Sequence, residues 1–267
     1  MSQRRCLKAY ELSFSADERE RYGRHIMLKE LGGAGQQRLK AATVAIVGAG
    51  GLGAPAAFYL AAAGIGKLRL IDDDEVSLSN LQRQILYRGI DVGAPKVERA
   101  REVLAALNSN VLVEAERKRI TDANAAYLLS DAALVLDGAD NFATRFAVNA
   151  ACHDLGVTLI SGAVGRWQGQ VATFKSGPTK HQPLDQRLPC YRCFVPDTPP
   201  EAETCAAVGI VGALTGVIGS LMALEAIKEI AGAGKGLAGR VLLYDGLNAT
   251  SRTIALKRDP ACPVCGS

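Results

Sequence analysis

The chain has 267 residues, of which 48% are hydrophobic and 22% are charged, and its 31 basic and 27 acidic side chains leave a formal net charge of +4. This composition excludes a disordered chain and predicts a globular protein with a full hydrophobic core. The small net charge, with no basic stripe interleaved with aromatic residues, argues against nucleic-acid binding.

The N-terminal region, residues 1–40, is predicted to be helical, with a helix over Ala16–Leu31. Its basic residues are not followed by the apolar run of a secretory signal, so we expect a cytoplasmic protein. The chain contains seven cysteines. An odd number without an export signal argues against a disulfide framework and favours metal-binding, catalytic or buried thiols.

A βαβ unit with a glycine-rich turn follows. Residues 43–74, TVAIVGAGGLGAPAAFYLAAAGIGKLRLIDDD, read as strand, turn, Ala-rich helix, turn and strand. Gly48, Gly50 and Gly53 match GxGxxG, Gly51 lies between them, and Asp72 stands at the next strand end. Such glycines let a phosphate approach the N-terminus of a helix, and the carboxylate receives ribose hydroxyls. The unit therefore predicts a nucleotide site without identifying the nucleotide.

Further polar residues occur at or soon after the ends of predicted strands: Asn80, Arg83, Gln84, Lys96, Asp140 and Asn141. In an open parallel sheet these positions converge on one crevice. Cations and a carboxylate gathered there suit a triphosphate and its Mg²⁺. The alternative for Arg83 and Lys96 is that each is a solvated surface charge. Asp137 is interpreted as a cap of the turn and is left out of the site.

Alternation of strands and helices continues and predicts an α/β fold, a Rossmann-like, doubly wound and mostly parallel sheet. Residues 169–175, GQVATFK, alternate as an exposed strand would, and two late strands are expected to extend the sheet. The predicted helices are Lys96–Leu107, Ala123–Leu129 and Phe142–Leu155, and the strands are Val111–Glu116, Ala133–Asp137, Thr158–Ser161, Arg240–Tyr244 and Ser251–Lys257.

Two CxxC pairs predict a metal site. Cys190 and Cys193 lie in the Pro-rich segment 177–205, and Cys262 and Cys265 lie near the C-terminus. Four thiolates fit a closed, tetrahedral structural Zn²⁺ site that ties this crossover loop to the C-terminal segment. A redox CxxC is the alternative.

The uncharged segment Thr204–Leu224 raises two further questions. Its length admits a membrane span, but its small residues and the absence of an aromatic belt favour a buried helix. Cys205 stands at the expected N-terminus of this helix, where a thiol pKa is lowered. It is either a thiol nucleophile or a small buried residue.

Taken together, RYGRH, GAGGLG, DDDEVSLSNLQRQILY, VGAPKVE, DGADN, CYRC, TCAAVGIVG and CPVCG resemble the sulfur-carrier adenylyltransferases of the MoeB/ThiF/HesA type, relatives of ubiquitin-activating enzymes. The resemblance runs from about Asp17 to Gly266 and implies a single adenylation domain over residues 1–267. It implies that MgATP adenylates the C-terminal Gly carboxylate of a ubiquitin-fold carrier ending in Gly-Gly, with release of pyrophosphate. A separate donor would then supply sulfur, since no sulfur-transfer domain is expected after Cys265.

The resemblance also implies roles for individual residues. Arg83 and Lys96 would stabilise the phosphates, and Asp140 would serve Mg²⁺ and the attack of the carboxylate. Arg24 would reach the ATP of the other subunit in a homodimer. Residues beside ATP would be Gly51, Asp72, Asp74, Asn80 and Asn141, and the four CxxC cysteines would hold Zn²⁺.

Several functional alternatives remain at this point. The carrier is that of the molybdopterin pathway, favoured by the SLSNLQRQ segment, or that of the thiamine pathway. An NAD(P)-dependent oxidoreductase would share the glycine turn and Asp72 but would leave Arg83, Lys96 and the paired cysteines unexplained. A non-catalytic scaffold related to activating enzymes would normally lack the phosphate-handling residues.

Overall fold

The structure is a computed structural model and describes residues 14–198 and 209–266. One eight-stranded sheet has the order β3-β2-β1-β4-β5-β6-β7-β8. The strands are β1 (Thr43–Val47), β2 (Lys67–Ile71), β3 (Leu112–Glu116), β4 (Leu134–Asp137), β5 (Thr158–Gly165), β6 (Gln168–Phe174), β7 (Arg240–Asp245) and β8 (Thr250–Ala255). The helices of the described residues are α1 (Ala16–Ile26), α2 (Gly32–Ala41), α3 (Gly53–Ala62), α4 (Lys96–Leu107), α5 (Ala125–Leu129), α6 (Phe142–Leu155), α7 (Ser176–Thr179), α8 (Tyr191–Phe194) and α9 (Gly212–Ala231).

The first five strands in space are parallel, and β6, β7 and β8 continue the sheet antiparallel. The predicted Rossmann-like architecture with late antiparallel strands is confirmed. The chain returns from β3 to the other side of β1, so the sheet has its topological switch point between β1 and β4. Ligands of open α/β sheets bind in the crevice at such a point.

Both faces of the sheet are covered, which explains why β1 and β4 are almost continuously buried. One apolar cluster packs α3 and α9 against the sheet through residues such as Leu60, Ile218 and Met222. The other packs α5 and α6 through Leu128 and Val148. Among the described residues, no helix is long and apolar enough to cross a bilayer.

Strand β6 is not the exposed strand that its alternation predicts. Its last four residues are buried, because it pairs with β5 on one side and β7 on the other. Helix α9 covers one of its faces so closely that a Cβ added at Gly169 would lie 2.4 Å from Ile218 Cγ1. The sequence pattern of one strand does not reveal a helix that begins 38 residues after the strand ends.

The N-terminal helix is shorter than predicted, and a second helix follows it. Helix α1 begins with a capping box between Ser15 and Glu18 and ends at Ile26. Helix α2 lies almost wholly within the region predicted to be helical, although its glycine-rich sequence did not indicate a separate helix. At the other end, α9 runs to Ala231 and stops at Gly232, whose φ of +64° suits a left-handed C-cap. Residues 204–208 of the predicted apolar helix lie outside the described part of the chain.

Candidate functional site

A cavity of about 470 Å³ opens at the carboxyl ends of β1, β2 and β4. This volume is within the range of small-molecule sites. Most of the residues that the sequence placed in a nucleotide site line it: Gly48, Gly50, Gly51, Asp72, Asp74, Arg83, Gln84, Lys96, Asp140 and Asn141. Gly53 is the first residue of α3 and Asn80 lies in the segment after β2, and neither lines the cavity.

The glycine turn forms one wall of the cavity. Gly48 has a φ of +87°, which favours glycine, and its backbone packs against the turn after β4. A Cβ at Gly53 would lie 1.8 Å from Gly48 O, so this glycine allows α3 to start directly against the turn. Among the described residues, no side chain caps the N-terminus of α3. Ala54 donates its N–H to Gly50 O at 2.9 Å and Pro55 has no N–H, so of the first three residues of α3 only Gly53 has an N–H left for an anion.

Asp72 is held by the backbone around it. Its Oδ2 accepts a hydrogen bond from Ala49 N at 2.7 Å, and its Oδ1 accepts one from Asp74 N at 2.8 Å. Burial raises the pKa of the Asp72 carboxyl, and the positive charge of Lys96 opposes this shift. Each carboxylate oxygen retains a lone pair, so the group is fixed in place and still able to accept hydroxyl donors.

Lys96 opens helix α4 and is 4% exposed. Its Nζ donates to Asp74 Oδ2 at 2.9 Å, and the backbone N–H of Lys96 donates to Asp74 O at 3.0 Å. A buried ammonium that lines a cavity and has one carboxylate partner there retains donors for a second anion.

Arg83 and Gln84 come from the segment after β2. The turn is shaped by Asn80, whose carbonyl oxygen accepts the N–H groups of both residues. Arg83 Nη1 donates to Ser79 O at 3.1 Å, so the guanidinium has further donors for the cavity. Gln84 is 4% exposed, and within the described structure its Oε1 has no hydrogen-bond partner. A buried acceptor in this condition calls for a donor from outside the chain, either a ligand or a water molecule.

Asp140 and Asn141 stand between β4 and α6. Asn141 Oδ1 caps α6 by accepting from Thr144 N at 2.9 Å, whereas the Asp140 carboxylate is exposed at the cavity. Asp137 is fully buried beneath this turn, where its Oδ1 accepts from Ala139 N at 3.0 Å. Its placement agrees with leaving it out of the nucleotide site.

Sequence reasoning missed three parts of the cavity wall. Lys118 and Arg119 follow β3 directly, and only the run of basic residues after a strand signalled them. Tyr191 and Phe194 of α8 form an aromatic wall, although CYRC was interpreted only as a metal motif. Arg145 of α6 also lines the cavity, and its spacing in the sequence gave no signal.

The four CxxC cysteines form one cluster. The Sγ atoms of Cys190 and Cys262 are 3.5 Å apart, those of Cys193 and Cys265 are 3.4 Å apart, and all four lie within 4.8 Å of one another. Asp259 N donates to Cys193 Sγ at 3.4 Å. The geometry brings together residues that are about 70 positions apart in the sequence.

The predicted residue of the N-terminal helix is not at the cavity. Arg24 is exposed on α1 and does not line it. Its helix is anchored by Tyr22, whose hydroxyl accepts from Asn108 Nδ2 at 2.9 Å. Cys205 lies outside the described residues.

Comparisons with known proteins agree with this geometry. The ThiF family matches residues 22–264. A sulfur carrier protein adenylyltransferase of Thermus thermophilus is 47% identical, over 96% of this chain and 93% of its own. The molybdopterin-synthase adenylyltransferase of Escherichia coli is 44% identical, over 94% and 98% respectively. The crystal structure of E. coli MccB with ATP superposes with a TM-score of 0.73 and 26% identity, covering 87% of this chain and 69% of that one.

Proposed function

Because this chain belongs to the ThiF family, we propose that it is an adenylyltransferase that activates the C-terminal Gly carboxylate of a ubiquitin-fold sulfur-carrier protein with MgATP. The observation that carries the proposal is that one cavity gathers the glycine turn, Asp72, Asp140 and the cations Arg83 and Lys96. An oxidoreductase would need the first two features but has no use for the cations and the exposed carboxylate.

The reaction suits these groups. A carboxylate oxygen of the carrier attacks the α-phosphorus of ATP, and the bond to the bridging oxygen of pyrophosphate breaks. The attacking group is already ionised, so positioning and charge neutralisation are required and a general base is not. Lys96 and Arg83 neutralise charge on the departing pyrophosphate, and Asp72 orients the ribose. The orphaned Gln84 Oε1 accepts a donor from the nucleotide.

Mg²⁺ would be held by Asp140 together with phosphate oxygens. An exposed carboxylate with one weak neighbour, Asn141 Nδ2 at 3.5 Å, fits a metal that retains several waters and uses few protein ligands. When bound, Mg²⁺ would stabilise negative charge on the phosphates. Asn141 stays with α6 as its cap and keeps Asp140 at the cavity entrance.

The four cysteines are proposed to bind Zn²⁺. A regular tetrahedron with Zn–S bonds of about 2.3 Å separates the sulfurs by roughly 3.8 Å, close to the distances found here. Four thiolates leave no open position, so the role is structural. The ion would join α8 to the segment after β8.

The proposal also concerns which carrier protein is activated and how the subunits assemble. The E. coli relative, named a molybdopterin-synthase adenylyltransferase, and the SLSNLQRQ segment favour the small subunit of molybdopterin synthase as the carrier, and the thiamine-pathway carrier is the alternative. A homodimer would bring Arg24 to the partner's nucleotide. Cys205 would supply thiol chemistry, and sulfur would come from a separate donor. We treat residues 1–267 as a single adenylation domain of a cytoplasmic protein.

ATP–pyrophosphate exchange tests the proposal. Exchange by the wild type with a carrier ending in Gly-Gly supports it, and Arg83→Ala and Asp140→Ala should fold normally and lose exchange. If both variants retained exchange, the roles proposed for Arg83 and Asp140 would be wrong. A molecule that binds NADH but shows no exchange with any carrier would support the oxidoreductase instead.

A further inference from the structure

Arg145 is a buried arginine whose donors join two strand ends. It lies in the first turn of α6 and is 7% exposed. Its Nη2 donates to Gly162 O at 2.9 Å and also to Ala139 O, and its Nη1 donates to Ser161 Oγ at 3.1 Å. The guanidinium thus connects the turn after β4 with the carboxyl half of β5.

The ion pair with Asp137 is the longest of these contacts. Arg145 Nη1 lies 3.5 Å from Asp137 Oδ2, whereas Ser161 Oγ donates to the same oxygen at 3.0 Å. A residue that only balanced the charge of Asp137 would approach the carboxylate most closely. Here the closest approach is to backbone carbonyls, so the planar fork of donors is the property that the site uses.

Both carbonyls precede residues that face the nucleotide cavity. Ala139 directly precedes Asp140, and Gly162 directly precedes Ala163, which lines the cavity and an adjoining groove. On its other side the turn packs on Gly48, where an added Cβ would lie 3.0 Å from Gly138 O. The guanidinium therefore ties the turn that carries Asp140 to β5, in addition to the hydrogen bonds that Asp137 and Asn141 make within that turn.

We propose that Arg145 is a positioning residue for adenylation, which fixes Asp140 where it serves Mg²⁺ and the attacking carboxylate. The inference rests on the proposed function. Lysine offers one ammonium on a flexible stem and does not bridge the two carbonyls and Ser161 together, so Arg145→Lys retains the charge and loses the fixed geometry.

Kinetics of Arg145→Lys test this role. We expect kcat for carrier-dependent exchange to fall ten- to hundredfold, the effect of displacing a reacting group by about 1 Å. The Mg²⁺ concentration for half-maximal rate should rise, while ATP affinity without Mg²⁺ stays within about threefold. Arg69→Lys is the matched control, because Arg69 is also a largely buried arginine with carboxylate partners but does not line the cavity. It should leave the Mg²⁺ dependence unchanged.

A double-mutant cycle with Asp140→Asn separates positioning from a general structural role, and it is measured as affinity for MgATP because variants without the Asp140 carboxylate should lose exchange. If Arg145 acts through Asp140, Arg145→Lys should change MgATP affinity by less than about twofold in the Asp140→Asn background. Independent, multiplicative losses, or wild-type kinetics of Arg145→Lys, would overturn the inference.

A second variant tests the inference in case Arg145→Lys fails to fold. Arg145→Met combined with Asp137→Asn removes the guanidinium without leaving a lone buried carboxylate. Retained exchange in that variant would also overturn the inference, and a raised Mg²⁺ requirement would support it. Exchange by the wild type is measured first, so that failure of the proposed function is recognised separately.

Discussion

Replacing Lys96 by methionine should separate the function of the nucleotide site from the stability of the fold. Lys96 is buried, and the one carboxylate to which it donates among the described residues, that of Asp74, belongs to a side chain that is 58% exposed. A pair with so exposed a member contributes about 1 kcal/mol or less. Burial of the ammonium costs several kcal/mol, and methionine fills a similar volume without that cost. The free energy of unfolding of Lys96→Met should therefore lie within about 1 kcal/mol of the wild type, or above it.

Activity should respond very differently. One charge-assisted hydrogen bond to phosphate is worth about 1.5–3 kcal/mol, which corresponds to a loss of roughly 10- to 150-fold in kcat/KM for ATP. The assays are urea denaturation and carrier-dependent exchange. Lys67→Met is the control, because Lys67 also pairs with carboxylates but does not line the cavity. Exchange within threefold of the wild type, or a loss of stability above about 3 kcal/mol, would refute the reasoning.

Four further outcomes are expected. In Lys96→Met the pKa of Asp72 should rise further, because burial raises it and the charge of Lys96 opposes that rise in the wild type. Binding of the ribose needs the ionised carboxylate, so the acidic limb of the kcat/KM profile should move to higher pH. An unmoved limb would exclude the role of Asp72 as the ribose acceptor. Gly53→Ala should lower the free energy of unfolding, measured by urea denaturation, by about 1–3 kcal/mol or more, since the added Cβ meets the backbone of Gly48. The control Gly33→Ala has open space around it and should be neutral or stabilising by up to about 1 kcal/mol. Cys193→Ser should lose bound zinc in a metal analysis, and its free energy of unfolding should fall by about 4 kcal/mol or more. The control Cys152→Ala should retain the zinc. Equal zinc contents in the two variants would contradict the Cys₄ site. When inactive Arg24→Ala and Arg83→Ala chains are mixed and allowed to exchange subunits, about a quarter of the wild-type number of active sites should be restored. Half of the dimers are then mixed, and one of the two sites in each mixed dimer is intact. No recovery of activity would argue against Arg24 acting on the partner's ATP.

Much of the fold could be predicted because its signals are local. The glycine turn, the alternating strands and helices, and the polar residues near strand ends each occupy short segments, and parallel topology places those ends together. The two CxxC pairs could also be predicted to lie close together in the fold, since a structural Zn²⁺ site requires four ligands. The cavity accordingly contains Asp72, Arg83 and Lys96, as the sequence suggested.

The rest depends on contacts between distant segments. Strand β6 was expected to be exposed, because nothing within it indicates the helix that covers it. Tyr191 appeared only as a spacer between cysteines, although it reaches the cavity wall and packs on Phe174 with ring centroids 5.7 Å apart. Arg145 was unremarkable in the sequence, since its partners Ala139 and Gly162 come into reach only when β4 and β5 pair.

The central claim is that the cavity activates a protein carboxylate as an acyl-adenylate. The direct measurement is exchange of labelled pyrophosphate into ATP with a purified carrier ending in Gly-Gly, compared with the same carrier lacking those two residues. The account predicts exchange with the intact carrier, dependence on Mg²⁺, and loss of the signal with the truncated carrier. Exchange that is indifferent to the terminal glycines, or no exchange with any intact carrier, would contradict it.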